Sequence, residues 1–202
     1  MILPQTFYAQ ETITVAKQLL GCYLVHLEGE QTTLGRIVET EAYLGVQDPA
    51  SHAFAGKTRR NRVLFGPSGY AYVYFIYGMH YCVNAVTGNE GMGEAVLIRA
   101  LEPLQGINMM QRRRGTDKVS FLCNGPARLT EALGITLAFD GLPLFDNHLQ
   151  NGPLQIWSTD SLPSIAPIEE ADIVQTTRIG IAKAKDLLLR FYVRGNGHIS
   201  RR

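Results

Sequence analysis

Residues 36–99 read RIVETEAYLGVQDPASHAFAGKTRRNRVLFGPSGYAYVYFIYGMHYCVNAVTGNEGMGEAVLIR, and this stretch decides how the chain is organised. Its opening run, Val38-Glu39-Thr40-Glu41-Ala42-Tyr43, alternates with period two, which predicts a strand with Glu39, Glu41 and Tyr43 on one face. Tyr70 to Asn84 reads as two strands joined by a turn near Tyr77, Gly78 and Met79, because glycine supplies the positive φ that tight hairpins require. Tyr72 and Tyr74 then face one way, and Tyr77 falls close to the tip, where a ring has little protein to pack against. Glu94 to Leu101 predicts a buried strand that carries Arg99. A charged arginine inside the apolar run AVLIRAL is costly unless paired. The natural partner is an acid on the Glu39/Glu41 strand.

Tyrosine, phenylalanine and valine are ordinary strand residues, and a half-buried hairpin needs no function to explain them. A lone His52 is more often structural than functional. The combination is more specific than its parts. An acidic strand, a loop with His52, a basic cluster (Lys57, Arg59, Arg60, Arg62) and an aromatic-tipped hairpin follow one another within a short span. Flat faces for stacking, a wedge, phosphate-binding cations and a carboxylate are what enzymes that extrude a base from DNA require.

Outside this stretch, Thr12 to Leu20 has helical apolar spacing, with Gly21 as its stop. Tyr23 to Leu27 and Thr33 to Glu41 predict strands around a turn at Gly29. Pro103 to Arg114 predicts a helix ending in a basic cluster, which suits the helix dipole. Asn124-Gly125-Pro126 opens another helix with proline at its first position. Its N-terminus, near Arg128, suits either a phosphate or a simple cap. Leu154 to Trp157 and Arg190 to Gly195 predict short strands, and Gly195 to Arg202 a loose basic tail.

A chain of 202 residues with 46% apolar and 18% charged residues can bury a sizeable core in one domain, here taken as residues 1–202. The net charge of +1 is near neutral. Cations nevertheless collect in patches, at 57–62, 112–118 and from Arg178 onward, which fits transient, salt-sensitive contact with DNA. Cys22, Cys82 and Cys123 form no CxxC pair and lack a histidine at ligand spacing, so a disulfide framework, a zinc site and any other metal are not expected. No organic cofactor is implied. With no signal-peptide pattern and no apolar run of membrane-spanning length, a cytoplasmic protein is expected, nucleoid-associated if bacterial.

The segments RIVETEAYLG, the His52 that follows, RNR at 60–62, YVYFIYGMHYCVN and VLIRALEP resemble the alkyladenine (3-methyladenine) DNA glycosylases. The resemblance continues in order through NGPARL at 124–129, RIGI at 178–181 and RFYVRG at 190–195. It implies base-excision repair: a monomer that binds double-stranded DNA holding a damaged purine, flips that base out, and hydrolyses its N-glycosidic bond without lyase activity. By the same resemblance Glu41 activates the water and Arg99 helps hold both the water and the carboxylate. Tyr43, His52 and Tyr74 line the base pocket, and Asn84 discriminates against the guanine 2-amino group. The Ile181 carbonyl helps hold the water, Tyr77 is the minor-groove wedge, and Met79 assists beside it. This chain departs from some members in Ala182-Lys183 after RIGI, in the spacing of His52 and Arg60, and in Leu188.

The fold expected is α+β: one domain with a strongly curved, mostly antiparallel, open-barrel-like sheet, surrounding helices and a projecting β-hairpin. Two other functions fit parts of the sequence. A nucleic-acid-binding module without catalysis would use the tyrosines and basic patches alone. An inverting carbohydrate hydrolase would use Glu39 and Glu41, whose backbones stand roughly 6.6 Å apart on a strand, at the lower edge of the carboxyl separation such enzymes use.

Overall fold

The computed structural model describes residues 1–76, 78–145 and 152–200. Eight strands form one antiparallel sheet: β1 (Tyr23–Glu28), β2 (Gln31–Tyr43), β3 (Ala71–Ile76), β4 (His80–Thr87), β5 (Glu94–Gln105), β6 (Leu154–Trp157), β7 (Ile173–Thr176) and β8 (Arg190–Val193). Their order is β3-β4-β5-β2-β1-β6, with β8 joining β2 and β7 outside that path. Helices α1 (Gln5–Tyr8), α2 (Thr12–Gln18), α3 (Ile107–Arg114) and α4 (Pro126–Leu133) pack around it, giving the expected α+β architecture with a curved, unclosed sheet. α1 and β7 lay outside the expected elements; both are only four residues long, too short for a periodic signal.

β2 is the hub. It pairs with β5 along one edge, while its other edge is shared between β1 over Gln31–Arg36 and β8 over Glu39–Glu41. The exchange happens at a β-bulge. Ile37 pairs with Leu101 and Glu39 with Ala100, so Val38 is an extra residue with no partner. A bulge puts two successive side chains on the same side and so reverses the in–out parity beyond it. Before it, Ile37 points into the main core; after it Ala42 does, and Thr40 donates a hydrogen bond to the Ala16 carbonyl of α2 at 2.8 Å. Glu39 and Glu41 are thereby turned to the opposite face. Without the extra residue both carboxylates would enter the apolar core.

β5 carries a matching irregularity. Ala100 pairs with Glu39 and Ile98 with Thr40, which leaves Arg99 as the unpaired residue on its own strand. The two bulges bring the arginine and the acids to one side of the sheet. This pairing was expected from the sequence; the bulges that permit it were not.

Two expectations are corrected. β5 continues through Pro103 to Gln105, and α3 begins only at Ile107. Pro103 sits opposite Gly35 at another shift of register, where a missing N–H breaks no regular ladder. The turn into the helix is made by Gly106 at φ 76°. The second correction concerns the residues after Gly195, which are no loose tail as far as they are described. Ile199 is buried against Val38 and Ala100, and the Ser200 amide donates to Glu39 at 2.6 Å.

The tyrosine hairpin is formed by β3 and β4, paired from Ala71↔Ala85 to Ile76↔His80. Gly78 turns the tip at φ 71°. Tyr77, the expected tip ring, lies outside the described residues. Because a Cβ on Gly106 would stand 2.6 Å from the Thr32 carbonyl oxygen, Gly106→Ala is expected to lower the unfolding free energy by about 2 kcal/mol or more. An unchanged denaturation midpoint would count against this account of the β5–α3 junction.

Candidate active site

Beside the hairpin, β5 and the Gly180 loop lies a cavity of about 750 Å³. Tyr43, His52, Tyr74, Asn84, Arg99 and Ile181 all border it, so six residues chosen from the sequence converge on one space. Three rings form an aromatic wall. Tyr72 and Tyr74 point the same way from β3, as expected, with ring centroids 5.4 Å apart. His52 meets Tyr74 edge-on at 4.5 Å and shares a hydrogen bond of 3.0 Å with the Tyr72 hydroxyl through Nδ1. Partial burial of the His52 ring, and then the nearby Arg60 cation, hold it below its ordinary value of 6.5, so it is neutral at pH 7. Asn84 is fixed by donating its amide to the Tyr72 carbonyl at 3.0 Å.

Glu41 itself does not border the cavity. It is fully buried, immediately behind residues that do. Its Oε1 accepts the Ile179 amide at 2.8 Å. Its Oε2 accepts the Tyr43 hydroxyl at 2.9 Å and stands 3.2 Å from Arg99 Nη1. Burial raises this carboxyl above its ordinary value of 4.5, and Arg99, the Ile179 amide and Tyr43 pull it only part of the way back. For Arg99 the order is reversed. Burial disfavours its charge, but Glu41 and Glu39 together raise its proton affinity above that of a free arginine.

Glu39 is likewise at 0% exposure and is committed to Arg99, Arg190 and Ser200. It does not border the cavity. A hydrolase with two working carboxylates on this strand would need both at the cavity, and neither Glu39 nor Glu41 borders it.

Two functional neighbours were not singled out in the sequence. Arg178 donates both terminal nitrogens to the Asp48 carboxylate, and one of them also to the Ala42 carbonyl at 3.1 Å. Its guanidinium carbon lies 4.6 Å from the Tyr43 ring centroid. This clamp holds the Gly180 loop against the loop after β2, and so delivers the Ile179 amide to Glu41. The sequence around them, Asp48-Pro49 and the first residue of RIGI, gives no indication that they meet across 130 residues. Lys183 also borders the cavity, with its ammonium 5.7 Å from the Phe54 ring centroid.

Lys57, Arg59, Arg60 and Arg62 are exposed and none borders the cavity. Arg60 donates to the Phe75 carbonyl at 2.9 Å, which braces the basic loop against the hairpin. Met79 is 69% exposed at the tip. Asn124 to Arg128, the start of α4, form part of the cavity wall. Among the described residues no cluster of acids, histidines and cysteines could hold a metal, and no helix is long and apolar enough to cross a membrane.

Burial alone would raise the Asp48 carboxyl, but Arg178 and the amides of Ala50 and Leu44 bring it below its ordinary 3.8. Its stabilising contribution is thus complete above that value and disappears as the pH falls through the lower folded value. Asp48→Asn leaves the guanidinium unpaired and is expected to cost about 3–5 kcal/mol in urea unfolding at neutral pH. A loss under about 1 kcal/mol would show that the pair is not buried as described.

The family model for methylpurine-DNA glycosylase (MPG) matches residues 6–197. A protein of Methanoculleus marisnigri, named "Putative 3-methyladenine DNA glycosylase", is 58% identical over 202 residues, covering all of both chains. Proteins with the same name from Carboxydothermus hydrogenoformans and Chlorobaculum tepidum are 50% and 45% identical; the first covers both chains fully, the second 96% of this chain and 88% of its own. With a family match along nearly its whole length, the chain belongs to the methylpurine-DNA glycosylases, enzymes that act on DNA and hydrolyse N-glycosyl bonds.

Proposed function

We propose that the protein flips alkylated or deaminated purines out of double-stranded DNA into this cavity and removes them with a water activated by Glu41. The observation that carries the reading is the convergence of Tyr43, His52, Tyr74 and Arg99 on one cavity, with Glu41 directly behind them. An extruded purine offers two flat faces to such rings. A neutral His52 and two tyrosines attract a base that carries positive charge more strongly than a normal one. Asn84, anchored on Tyr72, is the group facing the base edge, where it would reject a guanine 2-amino group.

In the chemical step the water oxygen bonds to C1′ of deoxyribose. The N-glycosidic bond breaks with its electron pair leaving on the base, and the water proton passes to Glu41. A cationic alkylated purine departs as a neutral molecule, so the demand falls on the water and the cationic sugar rather than on an acid. Each Glu41 oxygen can accept more than one hydrogen bond, and Oε1, which accepts the Ile179 amide, can also accept one from the water. The Ile181 carbonyl, two residues on, is assigned to hold the same water.

Tyr77 is assigned the wedge that enters the minor groove, with Met79 beside it. Lys57, Arg59, Arg60 and Arg62 are assigned to the phosphates. The protein is expected to act as a monofunctional monomer on genomic DNA in the cytoplasm. Lys183 borders the cavity with its ammonium 5.7 Å from the Phe54 ring centroid, and we take water rather than this amine as the nucleophile.

Glu41→Gln is expected to lower single-turnover excision of 7-methylguanine by roughly 10²- to 10⁴-fold while leaving lesion-duplex affinity intact. Retained excision would remove Glu41 from the mechanism. Because the working form is the carboxylate and burial raises its proton affinity, the wild-type rate should fall as the pH drops through a value above 4.5. Borohydride treatment during turnover should trap no covalent protein–DNA adduct; an adduct lost on Lys183→Ala would make the enzyme a lyase.

A further inference from the structure

Two carboxylates two residues apart, both at zero exposure, repel each other and are expensive to bury. A glycosylase that needs one base has no evident use for the second, yet Glu39, like Glu41, is held by three residues. Its Oε1 accepts from Arg99 Nε at 3.3 Å and from the Ser200 hydroxyl at 2.9 Å and forms an ion pair with Arg190, whose Nε stands 3.2 Å away, and its Oε2 accepts from the Ser200 amide at 2.6 Å. The arrangement accounts for all three nitrogens of the Arg99 guanidinium. Nε goes to Glu39, Nη1 to Glu41, and Nη2 to the Ser200 hydroxyl at 3.4 Å. Ser200 in turn borders the cavity, and Ile199 anchors it by packing against Val38 and Ala100 beside the two bulges.

We infer that Glu39 and Ser200 are positioning residues for excision, which together lock the Arg99 guanidinium in one orientation between the Glu41 carboxylate and the cavity. The inference rests on the glycosylase reading above. A guanidinium paired with Glu41 alone retains rotation about its side-chain bonds. Tied at Nε and Nη2 as well, it presents a fixed charge both to the base and to the developing cationic sugar's attacking water. Glu39 also adds its negative charge behind Glu41. The groups facing Glu41 are Arg99 from β5, Tyr43 and Glu39 from β2, the Ile179 amide and Arg178 from the Gly180 loop, and the Cys82 thiol of β4.

The test is single-turnover excision from a duplex holding one 7-methylguanine, across pH, with affinity for an uncleavable abasic-analogue duplex measured in parallel. Glu39→Gln is expected to reduce the plateau rate by about tenfold or more with analogue binding retained. It should also move the acid limb to lower pH, since removing the like charge makes Glu41 easier to ionise. A purely structural Glu39 would lower the yield of folded protein without moving that limb, and an unmoved limb in folded enzyme overturns the inference. Ser200→Pro removes both donors while keeping the Glu39 charge, and decides the matter if Glu39→Gln does not fold. An approximately tenfold slower rate with unchanged binding is expected, and a full rate overturns the inference. Wild-type protein that excises no methylated purine would instead overturn the glycosylase reading.

Discussion

A carboxylate taken wholly out of water must find its cations within the protein, and Glu39 and Glu41 find theirs on separate strands. Arg99 comes from β5 and Arg190 from β8, the two neighbours of β2 at this point. Two acids and two arginines balance in charge, which is what makes their joint burial tolerable in a medium of low dielectric. The condition is geometric as well as electrostatic. All four side chains must leave the sheet on the face away from the main core, and the extra residues Val38 and Arg99 achieve this by reversing the parity of β2 and β5. The bulges are consequently part of the site, although Val38 itself does not border the cavity.

The side chains behind the cavity are buried and multiply bonded, whereas Met79 at the hairpin tip and the cations of the 57–62 loop are exposed. Glu41, Arg99, Asp48 and Arg178 are all buried and multiply bonded, so their rotamers are set by partners on other elements. The Asp48–Arg178 clamp joins two loops that would otherwise be free to separate, and the Ile179 amide reaches Glu41 only through it. The exposed tip at Met79 and the exposed cations of the 57–62 loop have a different character. Arg60 on the Phe75 carbonyl links the two, so the basic loop and the hairpin share one support. A reaction centre needs fixed dipoles before substrate arrives. Exposed side chains that can adjust suit the proposed contact with DNA.

The sequence by itself determined the strands of the sheet other than β7, the hairpin and the demand for an acid beside Arg99. Period-two alternation and a charged residue in an apolar run are local properties, visible without coordinates. It also singled out six residues that now border one cavity, but the roles of His52, Asn84 and Ile181 came from resemblance, because a lone polar residue in a loop or strand has no periodicity to interpret. Tertiary structure decided the rest. A bulge is a mismatch between two strands, so no single strand encodes it legibly; the same holds for Pro103 lying in a strand rather than a helix. The Asp48–Arg178 clamp and the docking of Ser200 on Glu39 join residues more than 100 positions apart, and only the folded chain brings them within bonding distance. The proton affinity of Glu41 depends on how much water is excluded as well as on which charges are near. Composition named the cation; burial, a property of the whole fold, set the direction.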